Sequence, residues 1–441
     1  ASRCAPSRAS LLTGLYQHRT GVGHMVQNLG YPSYQGYLNK KCVTIAEVLK
    51  QEGYTTIMTG KWHLGNSREY WPDKRGFENY FGSPKGGGLY FYPSEFVDRP
   101  LYRNGDLVTP DPETFYSTDN FTTEAIQFIE KNNETEKPFF LYLAYIAPHF
   151  PLQAWPEDIA KYEGMYSVGY ETIRKNRFER QKELGIIDAD VKLSPPDYDN
   201  WDEETAKEEA HKMAVYAAMV DRMDQNIGKL VQFLKRIGQL DNTLILFLSD
   251  NGACSRGFNR SPGAEIGTVN SFTAYGLGWA NVGSTPYRKY KRFEHEGGIL
   301  TPMIAHWPAG IKKNKITHEV VHIIDIMPTC LEISGAKYPK KYKGNSIHSV
   351  DGRSFYTVFQ NKNSDMKREL FWEHEGNKAV CSASWKLVKM HNHPWELYEL
   401  ETDPTELNNL VNKQMDIANS LEKQWNIKAS ELGVRPWPVK K

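Results

Sequence analysis

The nine residues from Phe139 to Ala147 (Phe-Phe-Leu-Tyr-Leu-Ala-Tyr-Ile-Ala) form an uninterrupted apolar run. A run of this length is too short for the roughly 18 residues that cross a bilayer, and no longer one occurs. It reads instead as a buried central strand of a sheet covered on both faces. Other segments supply partners for such a strand. Residues 44–52 read as an amphipathic helix ending at Gly53, and the β-branched stretch Tyr54–Thr59 reads as a strand. A helix is expected over Thr122–Lys131. A long one follows over Glu203–Ile237, where Met213, Met219, Met223, Leu230 and Leu234 recur at helical spacing. Thr243–Leu248 reads as a second buried strand. At 441 residues, one large α/β domain with a small satellite fits the length.

In open α/β sheets, ligands bind at the carboxyl ends of the strands. Here those ends carry chemistry. Residues 54–59 run into Gly60-Lys61-Trp62-His63-Leu64-Gly65, which offers a cation for an oxyanion and an imidazole for proton transfer. The apolar run ends at Pro148-His149-Phe150-Pro151, and the second buried strand ends at Ser249-Asp250-Asn251-Gly252. A carboxylate beside an amide oxygen suits a hard cation, although the same four residues also make an ordinary turn. Near the start, Cys4-Ala5-Pro6-Ser7-Arg8 precedes Leu11, Leu12 and Leu15. Proline in a first turn and leucines on one face place Cys4 at a helix N-terminus, where backbone N–H groups favour an anion, with Arg8 one turn on. Each feature alone has a plainer reading as a buried thiol, a solvated charge or a loop histidine.

Charge sets limits on partners. The 54 basic and 53 acidic residues leave a net charge of +1, which argues for neither nucleic acid nor an acidic polymer. Five cysteines (Cys4, Cys42, Cys254, Cys330 and Cys381) lack metal-ligand spacing, and their pairing does not follow from the sequence.

Taken as a string, Cys-x-Pro-Ser-Arg followed by Leu12-Thr13-Gly14 resembles the modification motif of the type I sulfatases, arylsulfatase-like members of the alkaline phosphatase superfamily. Gly-Lys-Trp-His-Leu-Gly resembles that family's second motif. His149, the Asp250-Asn251 pair and Glu296-Gly297-Gly298 match further positions in the same order. The resemblance implies an alkaline-phosphatase-like α/β sandwich: a large mixed, mostly parallel sheet between helices, with a small C-terminal α+β subdomain built on an antiparallel sheet. It implies hydrolysis of a sulfate ester by a formylglycine made from Cys4 by a formylglycine-generating or anaerobic sulfatase-maturating enzyme. By the same resemblance Arg8, Lys61 and Lys291 offset the sulfate charge, and His149 with Lys291 protonates the departing alcohol. His63 takes a proton from the second hydroxyl of the hydrated aldehyde, and Cys4, Asp250 and Asn251 hold Ca²⁺, with Mg²⁺ as the alternative. Lys291 lies five residues before Glu296, and Lys289 competes if the register slips.

The family carries paired metal-binding aspartates upstream of the cysteine, and no Asp precedes Cys4 here. The expectation is an N-terminally truncated chain with an unpaired sheet edge, weak metal binding and little turnover. A sulfated carbohydrate is the expected substrate, ahead of an aryl sulfate, and secretion or periplasmic export is the expected location. A phosphodiesterase or phosphonate monoester hydrolase of the same superfamily, or a non-catalytic binder of sulfated glycans, are the competing readings. Residues 66–136, with Gly86-Gly87-Gly88, and 152–205 read as loops, the latter charged and weakly periodic. Asn120 and Asn133 fit the glycosylation triplet, which arises freely by chance. Val320–Ser334 reads as a strand end entering a helix. A polar stretch puts the domain boundary between residues 362 and 363. Beyond it, four short strands and a helix through Leu432 are expected, and His374 is a candidate for the substrate mouth.

Overall fold

A computed structural model of the chain describes residues 1–198, 201–312, 314–361 and 368–440. The expected domain boundary at 362–363 lies outside the described residues. Helix α1, Cys4–Thr13, begins at the cysteine and is buried along its whole length. Two of its hydroxyls are satisfied locally: Ser7 Oγ donates to the Ala1 carbonyl at 2.6 Å and Thr13 Oγ1 to that of Ala9 at 2.7 Å. Gly14 ends it at φ 69°, a left-handed conformation in which an added Cβ would lie 2.7 Å from Val350. A short turn of helix, α2 (Gln17–Thr20), follows. Helix α3, Ile45–Gln51, starts with a capping box in which Thr44 and Glu47 bond each other's backbone N–H.

The main sheet has five strands: β1 (Thr55–Lys61), β2 (Asn79–Ser83), β3 (Leu101–Arg103), β4 (Asp106–Val108) and β5 (Phe139–Ala144). Their order is β4-β3-β2-β1-β5. β1 runs parallel to both neighbours, while β3 and β4 form an antiparallel margin. On one face, α1, α3 and the helix Ile326–Ser334 close the larger core around Trp62, Phe77 and Met58. On the other, helix α4 (Ser117–Asn133) and the helix Ala206–Arg236 pack Ile129, Leu230, Phe233 and Leu234 against Ile57. This is a sandwich of helices around a mixed sheet.

Several expectations need correction. The Phe139–Ala147 run is not central, because β5 is the end strand of the sheet and is only half-buried along most of its length. Its alternate residues do face two cores, Phe139 and Leu141 on one side and Phe140 and Tyr142 on the other. Two covered faces give a continuous apolar run whether or not the outer edge is paired. The expected strand at 243–248 shortens to Ile245–Leu248, paired antiparallel with Met303–His306, and Phe247 is 40% exposed. Residues 152–205 include two helices, Pro156–Ile159 and Gly169–Glu183. The second buries only Gly169, Arg174 and Phe178, with Arg174 bonded to Ser194, so its anchors are too sparse to show as periodicity. A short 3₁₀ turn, Ile323–Asp325, rather than the expected strand end, leads into the helix Ile326–Ser334.

At the C-terminus, Leu370–His374, Asn377–Ser382, Trp385–Lys389 and Glu396–Glu399 form an antiparallel sheet in chain order, and the helix Met415–Leu432 covers it through Trp425 and Leu421. Lys386 joins this sheet to the larger body. It is fully buried and paired with Glu406 at 2.8 Å and with Glu296. Replacing one member of such a group leaves buried charge without a partner. Lys386→Met is therefore expected to lower stability by about 3–5 kcal/mol, read from urea unfolding.

Candidate active site

The parallel strands bring their carboxyl ends to one place. β1 ends on Lys61, and His63 follows in the left-handed region at φ 62°. That strained conformation is held by bonds from the Trp62 and His63 N–H groups to the Ser83 and Pro84 carbonyls, at the end of β2. His63 Nδ1 stands 3.5 Å from Cys4 Sγ at the head of α1. Arg8, on the same helix, is 7% exposed and works as a hub. Its Nε donates to Asp250 at 3.0 Å, and its Nη1 to the Lys61 carbonyl at 2.9 Å and the Tyr142 hydroxyl at 3.1 Å.

Lys291 arrives on a turn fastened on two sides. Its N–H donates to the Ala253 carbonyl at 2.9 Å, and the next N–H, of Arg292, donates to the Ser2 carbonyl at 3.0 Å. Gly297 and Gly298 allow the turn to close: an added Cβ would meet the Lys289 carbonyl oxygen at 2.2 Å or that of Phe293 at 2.0 Å. Lys291 is buried, whereas Lys289 points away to Asp197 at 3.0 Å. His149 Nδ1 donates to the Phe150 carbonyl at 2.7 Å, which leaves Nε2 as the free nitrogen.

The charges act on one another. Burial alone would raise the Cys4 thiol, but Lys61, His63 and Lys291 outweigh it and hold it well below its usual value. Burial lowers Lys61 to about 8, with Arg8 and Lys291 adding to the effect. It lowers His63 and His149 as well; for His149 the cations Lys291 and Lys61 add to it. Asp250 goes the other way: against burial, Arg8, Lys61 and Lys291 hold it down at about 2. Cys4, Arg8, Lys61, His63, His149, Asp250 and Lys291 thus share one electrostatic environment. Beside Asp250, the Asn251 amide donates to the Gly252 carbonyl, and its Oδ1 is buried without a hydrogen-bond partner among the described residues. An unpaired buried oxygen next to an ionised carboxylate is donor chemistry for a hard cation.

Residues 1–336 match the family described as Sulfatase. This chain belongs to the sulfatase family. Residues 287–431 of the sulfatase also match the C-terminal region of N-sulphoglucosamine sulphohydrolase. It is 37% identical over 429 residues to an uncharacterized sulfatase of Schizosaccharomyces pombe, covering 88% of this chain and 77% of that protein. It is 34% identical over 392 residues to an arylsulfatase of Klebsiella aerogenes, covering 83% and 84% respectively. Among solved structures, Ps i-CgsB in complex with k-i-k-neocarrahexaose superposes with a TM-score of 0.70 at 27% identity, over 97% of this chain and 82% of that one. The sulfatase is an enzyme of sulfate ester hydrolysis on an alkaline-phosphatase-like fold.

Sequence reasoning singled out His374 but passed over the two residues grouped with it, His24 and Glu375. His24 stacks on His374 with ring centroids 5.4 Å apart, and Glu375 Oε1 lies 2.9 Å from His24 Nε2. His374 is fully buried rather than at a mouth, and His24 lines a cleft beside His63. The signal, a lone histidine after Gly-Val-Gly and an acid in a four-residue turn, has no spacing that links the two in sequence. All five cysteines are free, and among the described residues no helix is long and apolar enough to cross a membrane.

Two predictions follow from these contacts. Arg8→Lys keeps the charge and loses the fork, so unfolding in urea is expected to show a loss of about 2–3 kcal/mol. Burial lowers His374 to about 4 from an ordinary 6.5, so the unfolded chain takes up this proton first. Its contribution is complete above pH 6.5 and is lost as pH falls from there through about 4. Between pH 6 and 5, the fall in unfolding free energy is expected to be smaller in His374→Gln by about 1 kcal/mol.

Proposed function

We propose that this sulfatase uses Cys4, converted to formylglycine, to hydrolyse a sulfate ester of a carbohydrate, releasing an alcohol and hydrogen sulfate with consumption of one water. The observation that carries the reading is the convergence of Lys61, His63 and Lys291 on the Cys4 side chain, strong enough to favour an anion there despite burial. The hydrated aldehyde supplies an attacking hydroxyl and a second one whose deprotonation frees the enzyme.

The chain's own groups do the rest. A sulfate ester is a monoanion, and Lys61 and Lys291 offset its charge where it meets the nucleophile. His149 presents Nε2 to the leaving oxygen. The free imidazole is held neutral by burial and by those lysines, and an incoming anion favours the proton that Nε2 must then donate with Lys291. His63, kept neutral by burial and 3.5 Å from Cys4 Sγ, is placed to accept a proton from the group at position 4. Arg8 holds Asp250 ionised and in place. Asp250, Asn251 and the oxygen-bearing position 4 would hold a divalent cation, Ca²⁺ or Mg²⁺, which supplies Lewis-acid polarisation of the sulfate oxygens. The orphaned Asn251 Oδ1 supports that assignment.

The carbohydrate bound by the structural neighbour supports a sugar rather than a simple aryl sulfate as the natural substrate. A maturating enzyme as partner, secretion or periplasmic export, and a division into residues 1–362 and 363–441 complete the proposal. The test is peptide mass spectrometry across residues 4–19 of the full-length gene product co-expressed with a formylglycine-generating enzyme, followed by rates on 4-nitrophenyl sulfate and an aryl phosphodiester. Conversion at Cys4 and faster sulfate release are expected. His149→Ala and Lys291→Ala should each lower kcat by about 10²–10⁴-fold. An unconverted cysteine, or faster phosphodiester cleavage, would overturn the reading.

A further inference from the structure

A cleft of about 350 Å³ opens beside His63, whose Nδ1 stands 3.5 Å from Cys4 Sγ. Arg3, His24, Gln27, Lys85 and Arg99 line it with His63. Two of its cations have no acidic partner. The Arg3 side chain makes no hydrogen bond or ion pair among the described residues, and its Nε is buried without a partner. Arg99 donates to backbone only, Nε to the Gly87 carbonyl at 3.1 Å and Nη1 to the Asp98 carbonyl at 2.9 Å. Lys85 is paired with Asp98, a carboxylate that lies almost wholly in solvent. A protein whose net charge is +1 thus gathers unpaired guanidinium groups in one concave surface that shares a wall with the nucleophile.

The Arg99 guanidinium, held by two carbonyls and open on its remaining N–H donors, matches sulfate or carboxylate oxygens, and the unpartnered Arg3 side chain adds a second cation to the same cleft. A cation is disfavoured in the same place. His24, His374 and Glu375 bring ligand atoms within 4.8 Å of one another, but Arg292 is bonded to Glu375 Oε2 at 2.9 Å and the charge of Arg3 is felt at His374.

We propose that this cleft is a subsite for a second anionic group, a sulfate or carboxylate on the sugar ring adjacent to the one that loses its sulfate. The preferred substrate is then a glycan carrying anions on neighbouring rings. The inference rests on the assignment of the Cys4 pocket as the site of sulfate release. His63 both lines the cleft and contacts Cys4 Sγ, so the two anion positions are neighbours.

The experiment is isothermal titration of the Cys4→Ala protein, which cannot turn over, with two forms of one disaccharide. One form carries a single sulfate, and the other carries a second sulfate on the adjacent ring. The disulfated form is expected to bind about 10–100-fold more tightly, the increment of one charge-assisted contact. Arg99→Gln in the same background should remove most of that ratio, and Arg99→Lys should restore part of it. Equal affinity for the two sugars, or an Arg99→Gln protein that weakens both equally, would overturn the subsite. If the matured enzyme releases no sulfate from either sugar while the affinity ratio stands, the subsite holds and the catalytic reading fails.

Discussion

One guanidinium holds the reactive centre together. Arg8 leaves α1, bonds the last carbonyl of β1, the Tyr142 hydroxyl on β5 and the Asp250 carboxylate, and so ties four segments that lie far apart in the chain. Its planar fork can satisfy three acceptors in fixed directions, which an ammonium on a flexible stem cannot. Because the group is buried, each acceptor also offsets its desolvation. Position of the nucleophile and stability of the pocket therefore depend on the same contacts.

Around that hub the site concentrates positive charge that the protein would not otherwise bury. Lys61, Lys291 and Arg8 are all less than a tenth exposed, against one carboxylate, Asp250. The cost appears in the lowered affinity of Lys61 for its proton and in histidines held neutral. Such an arrangement suits an anion, whose charge would offset the mutual repulsion of these cations. Support comes from outside the pocket. The turn bearing Lys291 leads into Glu296, which pairs with Lys386 of the C-terminal sheet, and Arg288 at its start donates to Glu396, Tyr398 and the Glu406 carbonyl. The small sheet thus acts as a buttress for the turn that carries Lys291.

The site was unusually legible because its residues sit in short contiguous strings at strand ends and a helix start. Gly60–Gly65, Pro148–Pro151 and Ser249–Gly252 each follow an apolar stretch, so local pattern pointed to both the scaffold and the candidate residues. Elements whose partners are distant were read less well. β5 has the apolar run of an interior strand and lies at the sheet's end, since covering by helices on two faces, not pairing on two edges, sets that pattern. The helix Gly169–Glu183 is anchored by a few contacts and carries charge nearly all round, which hides its period. Arg3, Arg99 and His24 had no motif at all. They form a cleft only because the residue before α1, the loop after α2 and the segment that carries Lys85, Gly86 and Arg99 meet around His63.

Sequence alone was enough for the family and the fold class, and it named the side chains proposed to react. Those properties are carried by neighbouring residues, where backbone propensity and side-chain chemistry are written together. Tertiary structure decided which lysine of the basic run turns inward, which carboxylate Arg8 holds, and that unpaired arginines gather beside the nucleophile. Each of these depends on burial and on through-space charge, and both quantities exist only after chain segments hundreds of residues apart have met.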